Sequence, residues 1–568
     1  MAVKEQEALK RLSGDFDSAW NFRKDNYDEM LKEIASFVYP NARRFISADE
    51  KHDRAEMKRI LFNEGKRALD TLASGMISGT CSPSRKWFQL GVSNFQNQDS
   101  GFKVALQKLE AAVYLELARS NFYKVMHQLY KFEGAFGTAC ALIDDIRDPK
   151  KDAALDLVLM PFGSYALRVD YLNRVDGLYR KMTMRLSDIV KYYGDKDLPE
   201  VLQMAITDKK LNAEFIVYHV IEKTPPEKLV EGKQLIKQEW SSYHFLEGEK
   251  EKFLRVSGYD SFPAITPRWE VIGDDPYGEC PATSSIGDFR ELQKLQTMML
   301  EGTERMVNPP ILLPNSMKDQ VNRLVPKGVL FYEPSIVAGT AQAQAQNAMN
   351  VQFDYSGVQA EAQYCVSRIK SAFYADLFLM LDGFDKTNMT ATEVAERKSE
   401  KMLMLGSVLE RQTDEALRPV IEGVVERILT KLQDRYPEVI SAFAPYADVE
   451  YDIEFVSILA QAQKASGSAN LERGTQYLMS LAGLSEENMM AVKPLAMMRH
   501  YVEMNSMPSD VIASESEYKQ SMDQLQQSRM QQAQAQAMAQ GAQAVTNTAQ
   551  AVNAVSEMGD NPNIMGGA

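Results

Sequence analysis

The spacing of apolar residues predicts that the first third of the chain is mostly helical. Between residues 16 and 38, apolar positions recur every three or four residues, the period of one helix face, and the pattern stops before Pro40. Further helices are predicted over residues 67–79 and 102–131. We therefore expect the N-terminal part to be a packed set of helices.

The pattern changes between residue 155 and about residue 271. Short alternating runs such as LDLVLM and EFIVYHVIEK are separated there by glycine and proline turns. Alternation of apolar and polar residues is the period of a half-buried strand. A β-rich insert within the helical body is therefore expected.

Helical periodicity returns in two long stretches, residues 285–307 and 357–381. At the rise of an α-helix, each would span roughly 35 Å. The first ends at an Asn-Pro-Pro sequence, and the segment between them is punctuated by proline and contains an AQAQAQ run. Two matched long helices on either side of one compact insert are predicted.

A short polar segment, LDGFDKTNMT, follows the second of these helices. Gly383 stands where a helix C-cap belongs, and Thr390 with Glu393 forms a capping-box pattern for the next helix. That helix is predicted to run to about residue 434, with a kink at Pro419. Shorter Met-rich helical pieces follow residue 456, and the last fifty or so residues are rich in Ala and Gln.

The stretch RALDTLASGMISGTCSPSRKWFQL, residues 67–90, joins a helix of small residues to a basic and aromatic run. Gly75 and Gly79 have the spacing that lets helices approach closely, and local packing is a better interpretation than an oligomer seam. The SRKWF run has two interpretations. It could stack on nucleic acid, but a strand with Phe88, Leu90 and Val92 facing the core is favoured.

Composition and charge narrow the class of protein. The chain has 568 residues, 45% apolar and 25% charged, so several domains are expected. Its net charge of −14 lacks the basic surplus of proteins that grip nucleic acid. The chain either does not meet DNA or meets it without holding it. No apolar run approaches the roughly 18 residues of a membrane span, so we expect a cytoplasmic product without a membrane partner.

Motifs for catalysis are missing from the sequence. Phosphate-binding, dinucleotide-binding, nucleophile-elbow and zinc-protease patterns are absent, and neither the five histidines nor the four cysteines have metal-ligand spacing. We therefore predict no catalytic, cofactor or metal site. Two acidic clusters, Asp144, Asp145 and Asp148, and Asp274 with Asp275, are best interpreted as solvated turn acids. A two-metal nuclease is the alternative.

The order of these parts resembles a known family. The S-P-x-R-x-W-F-x-L sequence, with FKVALQKLEAAVYLELARSNFY, FGTACALIDD and ECPATSSIGDFRELQKLQ, resembles the head-to-tail connector (portal) proteins of short-tailed bacteriophages over roughly residues 15–460. The resemblance implies an α+β, mainly α, portal fold. It also implies a ring of twelve identical subunits at one capsid vertex, through which DNA is packaged and ejected.

The resemblance divides the chain into named parts. It implies a wing over 1–284, a descending stem helix over 285–307, a clip over 308–356, an ascending stem helix over 357–381, a tunnel loop over 382–390, a long kinked helix with a return to the wing over 391–456, and a helical crown over 457–520. The Ala/Gln-rich tail over 521–568 matches no part of the family pattern.

The family resemblance also implies site residues and partners. The loop residues facing double-stranded DNA are expected to be Asp382, Gly383, Phe384, Asp385, Lys386, Thr387 and Asn388. Expected partners are other copies of the chain, the terminase packaging motor, tail adaptor proteins, and the major capsid and scaffolding proteins. The protein would be assembled in the host cytoplasm and reside in the virion. A minor capsid or internal scaffold protein is the runner-up interpretation.

Overall fold

The computed structural model describes residues 2–46, 60–92, 100–145, 155–195, 198–225, 238–315, 318, 329–332, 346–347, 354–382, 405–446, 449–456 and 515–559. The chain forms two compact units, Met1–Ala460 and Gln461–Ala568. The described residues are mainly helical with antiparallel sheets, which confirms the predicted fold class. Among them, no helix is both long enough and apolar enough to cross a membrane.

The helices of the first unit form most of its body. They are α1 (Ala2–Arg23), α2 (Glu29–Val38), α3 (Glu64–Thr80), α4 (Ser100–Arg119), α5 (Phe122–Phe136), α6 (Leu186–Tyr193), α7 (Glu200–Thr207), α8 (Pro281–Ser284), α9 (Ile286–Val307), α10 (Tyr355–Ala372), α11 (Ala375–Asp382), α12 (Gly406–Gln412), α13 (Arg418–Thr430) and α14 (Pro437–Phe443). In the second unit, α15 spans Glu515–Gly559. The Ala/Gln-rich tail is thus helical over most of its length.

The strands form four small sheets. They are β1 (Phe88–Val92), β2 (Cys140–Asp145), β3 (Leu155–Met160), β4 (Tyr165–Val169), β5 (Val175–Arg185), β6 (Glu214–Lys223), β7 (Trp240–Leu246), β8 (Arg255–Tyr259), β9 (Ala264–Ile265), β10 (Ile311–Pro314), β11 (Val329–Tyr332), β12 (Gln346–Asn347) and β13 (Tyr451–Phe455). The largest sheet has the order β4-β5-β6-β7-β8 and is antiparallel throughout. It is the β-rich insert that the alternating pattern predicted.

The basic and aromatic run leads into a core strand that begins at Phe88, and Phe88 and Leu90 are buried, as favoured from the sequence. Strand β1 pairs with the distant β13, with Leu90 opposite Ile453. Trp87 and Phe88 are buried, and the ring of Trp87 stacks on Phe122 at 5.8 Å between centroids. The aromatic side chains are therefore core residues and are not available to stack on nucleic acid.

Two predictions of local structure in this region are wrong. The helix expected over 102–131 is two helices, α4 and α5, separated at Ser120 and Asn121, whose side chains bond nearby backbone groups. The acids Asp144 and Asp145 lie in strand β2 and not in a turn; Asp148 lies outside the described residues.

The long helix also departs from its prediction. Its hydrogen-bonding pattern widens to a π-turn at Thr413–Leu417, before Pro419 and not at it. The proline ring would clash with the carbonyl four residues earlier, at Glu415, and proline has no N–H to bond it, so the turn before it is displaced. The described helix then ends at Thr430, short of residue 434. Residues 391–404 lie outside the described residues.

A row of basic side chains crosses the five-stranded sheet. Arg180, His219, His244 and Arg255 lie opposite one another on successive strands. The two imidazole rings stack at 3.9 Å between centroids, and the buried His219 Nε2 is 3.0 Å from Ser242 Oγ. Burial, followed by the charges of His244, Arg180 and Arg255, holds the pKa of His219 well below its usual value.

This arrangement predicts acid sensitivity of the sheet. In the unfolded chain His219 takes up a proton near pH 6.5, whereas in the folded chain it stays neutral to a lower pH. The free energy of unfolding therefore falls as the pH drops below about 6.5. We expect His219→Gln to reduce the fall of the unfolding midpoint between about pH 7 and about pH 5. Thermal unfolding at each pH, followed by circular dichroism, measures this midpoint for the wild type and the variant.

Ser242→Ala is the matched control for this prediction. It removes the hydrogen bond but leaves both imidazoles, so it should lower stability by a similar amount at every pH. An unchanged pH dependence in His219→Gln would show that another group causes the acid sensitivity.

Candidate functional site

The two long helices α9 and α10 pack against each other and form what we call the long helix pair. The start of α9 lies beside the end of α10, since the rings of Phe289 and Phe373 are 6.2 Å apart and Arg368 pairs with Asp288. The two helices are therefore antiparallel. Their buried seam contains Phe289, Leu292, Met299, Gly302, Ala362, Cys365 and Ile369.

Other apolar side chains of the long helix pair lie outside this seam and are exposed within the subunit. Leu300 is 57% exposed and Val307 is 71% exposed. The other exposed members of this set are Met298, Met306, Tyr355 and Tyr364. Large apolar residues exposed in such number along one pair of helices are typical of a surface that a protein partner covers.

Between α9 and α10 the described residues form a small sheet. Strand β10 pairs in parallel with β11 and antiparallel with β12, which joins the far ends of the helix pair. Leu330 and Phe331 on β11 are exposed. The predicted clip thus has a folded base at the end of the helix pair.

The second predicted helix, 357–381, is not continuous. The chain breaks between α10 and α11, where Tyr374 has a left-handed backbone with φ of 53°. The N–H of Tyr374 donates to the carbonyl of Ser371 in a tight turn. The residues at the break, Ala372, Phe373 and Tyr374, include no glycine or proline, so no turn signal is present there. The break redirects α11 relative to α10.

Helix α11 leads directly to the predicted tunnel loop. Asp382 is its last residue, and residues 383–390, including Gly383, Phe384, Asp385, Lys386, Thr387 and Asn388, lie outside the described residues. The loop therefore stays a prediction, but the structure describes the helix from which it begins.

The small residues of α3 hold both α9 and α11. A Cβ atom at Gly75 would overlap the ring of Phe378 on α11, and one at Gly65 would lie 2.9 Å from the ring of Phe289 on α9. Both rings therefore rest on helix backbone where any side chain would displace them. This explains the unusual composition of residues 67–79, and Phe378 is the contact that spacing alone could not identify.

Ion pairs fix the base of the long helix pair. Arg368 contacts Asp288 at 2.9 Å and Glu291 at 2.5 Å, and its guanidinium lies over the ring of Tyr364. Arg290 makes two hydrogen bonds to Glu33 on α2, at 2.6 and 2.7 Å, and this partner lowers the pKa of Glu33. Bidentate arginine–carboxylate pairs of this kind set orientation as well as distance.

One group of side chains on the helix pair has ligand atoms close enough for a metal ion. Glu291, Glu361 and Cys365 lie within the required distance of one another. Arg368 already occupies the group, since its Nη2 donates to both Glu291 and the Cys365 sulfur at 3.2 Å. Burial and Glu291 raise the pKa of the Cys365 thiol, so the ligand form is disfavoured. The arginine is the cation of this cluster.

The acidic pair singled out from the sequence, Asp274 and Asp275, lines a cavity of about 530 Å³ with Asp15 and Arg168. The Tyr27 hydroxyl bonds Asp275, and its pKa is raised by burial and by that acid. No histidine or cysteine lines the cavity. The nuclease alternative gains no support from this geometry.

The chain was compared with known proteins. A family model described as bacteriophage head to tail connecting protein matches residues 9–512. The chain is 35% identical over 462 residues to the probable portal protein of Bordetella phage BPP-1, which covers 80% of each chain. It is 30% identical over 491 residues to the portal protein of Salmonella phage epsilon15, which covers 85% of this chain and 83% of the relative.

The contact between Gly75 and Phe378 gives a direct test of the role of α3. Gly75→Ala should push the Phe378 ring away and cost about 1–3 kcal/mol of stability, the usual cost of overpacking. Replacing the ring with a smaller side chain in the double variant Gly75→Ala, Phe378→Leu should recover part of this lost stability. Chemical denaturation of the single and double variants measures the coupling.

Gly14→Ala is the matched control, because a Cβ at Gly14 on α1 meets nothing within 4 Å. It should be neutral or stabilising, since alanine is the better helix former. Equal effects of the substitutions at Gly75 and Gly14 would contradict the close-packing argument.

Proposed function

The chain belongs to the family of bacteriophage head-to-tail connecting proteins and has the portal function, and from this premise we propose that twelve copies form a closed ring at one capsid vertex. DNA would enter the head through the centre of the ring during packaging and leave through it during ejection. The single observation that supports the ring is the set of large apolar side chains that stays exposed on the long helix pair in the described part of the chain.

The ring follows from covering these side chains with a neighbouring copy. A neighbouring copy would bury the exposed Leu300, Met306, Val307 and Tyr364 by meeting them with a different surface of its own, and such head-to-tail contacts form a ring when the rotation between neighbours closes. Obligate interfaces of this type bury on the order of 2,000–5,000 Å². The arginine pairs at the base of the helices would hold this surface in a fixed orientation.

The charge of the chain suits a conduit. Strong lysine and arginine contacts would hold the phosphates, whereas DNA must slide through the ring. The net charge of −14 and the single basic residue of the predicted loop, Lys386, fit a channel that DNA crosses without being held. The role is structural, without a catalytic step of its own.

The partners would divide among the parts of the molecule. The small sheet at the end of the helix pair, with Leu330 and Phe331 exposed, is the proposed docking site for the terminase motor and later for tail adaptor proteins. The wing would face the major capsid and scaffolding proteins. Its hairpin tip supports this, because Tyr171 is 93% exposed while Asn173 is tied to Gly273 and Arg268.

The loop over residues 382–390 is the proposed contact with DNA in the tunnel. Its support is the helix before it: α11, which ends at Asp382, is held on α3 through Phe378, so the loop begins from a fixed position. The protein would assemble in the host cytoplasm and remain in the virion. A minor capsid or scaffold role is not favoured, given the family.

The proposed ring of subunits is tested by placing a charge among the exposed apolar side chains of the long helix pair. Leu300→Glu should leave the subunit folded, because this side chain is exposed within the subunit, but it should prevent ring closure by burying an unpaired carboxylate in every interface. Native mass spectrometry at micromolar concentration gives the number of subunits, and circular dichroism checks the fold.

Leu211→Glu is the control for this experiment, since Leu211 is an equally exposed leucine in the wing, at 52%. It should keep the ring. A wild-type protein that is monomeric across salt conditions would refute the proposed ring, and an intact ring in Leu300→Glu would refute the assigned interface.

The tunnel loop is tested by shortening it. Deletion of residues 384–388 should leave rings that melt like the wild type but fail to keep DNA in the head. Lys386→Ala should have at most a modest effect on retention, since one exposed phosphate contact is weak and screened by salt. Nuclease protection of DNA in assembled heads measures retention. Normal protection with unchanged melting of the deleted ring would contradict a role for the loop.

A further inference from the structure

A buried polar contact links α5 to the long helix that follows the predicted tunnel loop. Glu133 of α5 and Gln412, the last residue of α12, are both fully buried, at 0% exposure. The Gln412 Nε2 donates to Glu133 Oε1. The second carboxyl oxygen of Glu133 and the amide oxygen of Gln412 are also buried, and neither has a hydrogen-bond partner.

Two buried acceptor oxygens without a donor would be costly if the carboxyl were ionised. A protonated carboxyl removes this cost. Its O–H can donate to the Gln412 amide oxygen while the amide N–H donates to the other carboxyl oxygen, which closes a ring of two hydrogen bonds. We propose that Glu133 is a neutral carboxylic acid doubly hydrogen-bonded to Gln412, and that the pair is a proton-dependent lock between the wing core and the long helix.

The charged groups around the pair agree with a neutral acid. Burial is the main cause that raises the pKa of Glu133 well above its usual value, and the charge of Glu415 adds to it. The charge of Arg411 opposes the rise of the Glu133 pKa. Arg268 binds Glu415, at 2.8 Å. Among the described residues, no cation contacts the Glu133 carboxyl.

The titratable group one turn earlier on α5 is also uncharged at neutral pH. Tyr130 is buried, and burial raises the pKa of its hydroxyl well above the usual value. It supplies no positive charge that would stabilise the ionised Glu133 carboxylate.

The position of the pair makes its proton state matter for the long helix. Gln412 comes directly before the π-turn Thr413–Leu417, and Glu415 within that turn binds Arg268. Loss of the proton would break one of the two hydrogen bonds of Gln412 and would place a second negative charge beside Glu415. The irregular turn would then lose part of its attachment to the wing core.

The sign of the pH effect follows from the proton. The folded chain keeps a proton that the unfolded chain releases near pH 4.5, the ordinary value for this group. The free energy of unfolding therefore falls as the pH rises from there to the folded-state pKa, and this contribution is constant above it. The lock holds the two elements together most strongly on the acidic side of this range.

The test uses the full-length protein and two variants. In Glu133→Gln two amides can keep both hydrogen bonds without a titrating proton, and the exchange variant Glu133→Gln, Gln412→Glu keeps an acid–amide pair with the partners reversed. Between about pH 5 and about pH 9, the unfolding midpoint of the wild type should fall by a few degrees more than that of Glu133→Gln. The exchange variant should regain the wild-type dependence.

Infrared spectroscopy provides a second measurement, and its wild-type signal can be read without any variant. The wild type at neutral pH should have the carbonyl band of a protonated carboxylic acid, which disappears when the pH is raised, and Glu133→Gln should lack it. The absence of this band in the wild type, or an equal pH dependence of unfolding in the wild type and Glu133→Gln, would overturn the proposal.

Discussion

The close approach of α3 to its neighbours is the constraint on which the first unit depends. This helix contacts α9 at Gly65 and α11 at Gly75, and its leucines Leu69 and Leu72 fill the space over Gly134 of α5. Each contact requires a missing side chain on one partner and a large one on the other. The relative positions of α5, the long helix pair and α11 are therefore fixed at one helix.

Much of this arrangement could be predicted, because its signals are local. The period of apolar residues identifies α9, and alternation with aromatic residues identifies β1 as a core strand. The same local signals gave wrong predictions where tertiary contacts determine the secondary structure. Acids at its end conceal strand β2, and the left-handed turn at Tyr374 has no glycine, asparagine or proline to announce it.

Less of the candidate site than of the fold could be predicted from the sequence. The glycine spacing of residues 67–79 predicted close packing but could not name Phe378, which lies some three hundred residues further along the chain. The pairing of Glu133 with Gln412 is hidden for the same reason, since each residue on its own is typical of a solvated helix face. The tunnel loop was inferred from caps and from the family resemblance, and these describe its ends better than its contacts.

The pairing of β1 with β13 has a consequence for how the chain is made. Residues 88–92 find their partner strand only at residues 451–455, so the sheet cannot form until nearly the whole first unit has left the ribosome. Such a distant contact gives a high contact order, which slows folding and leaves the apolar Phe88 and Leu90 without their partner strand during synthesis. A chain that ends before residue 451 therefore leaves β1 without its partner strand, and such fragments are expected to be substrates for chaperones.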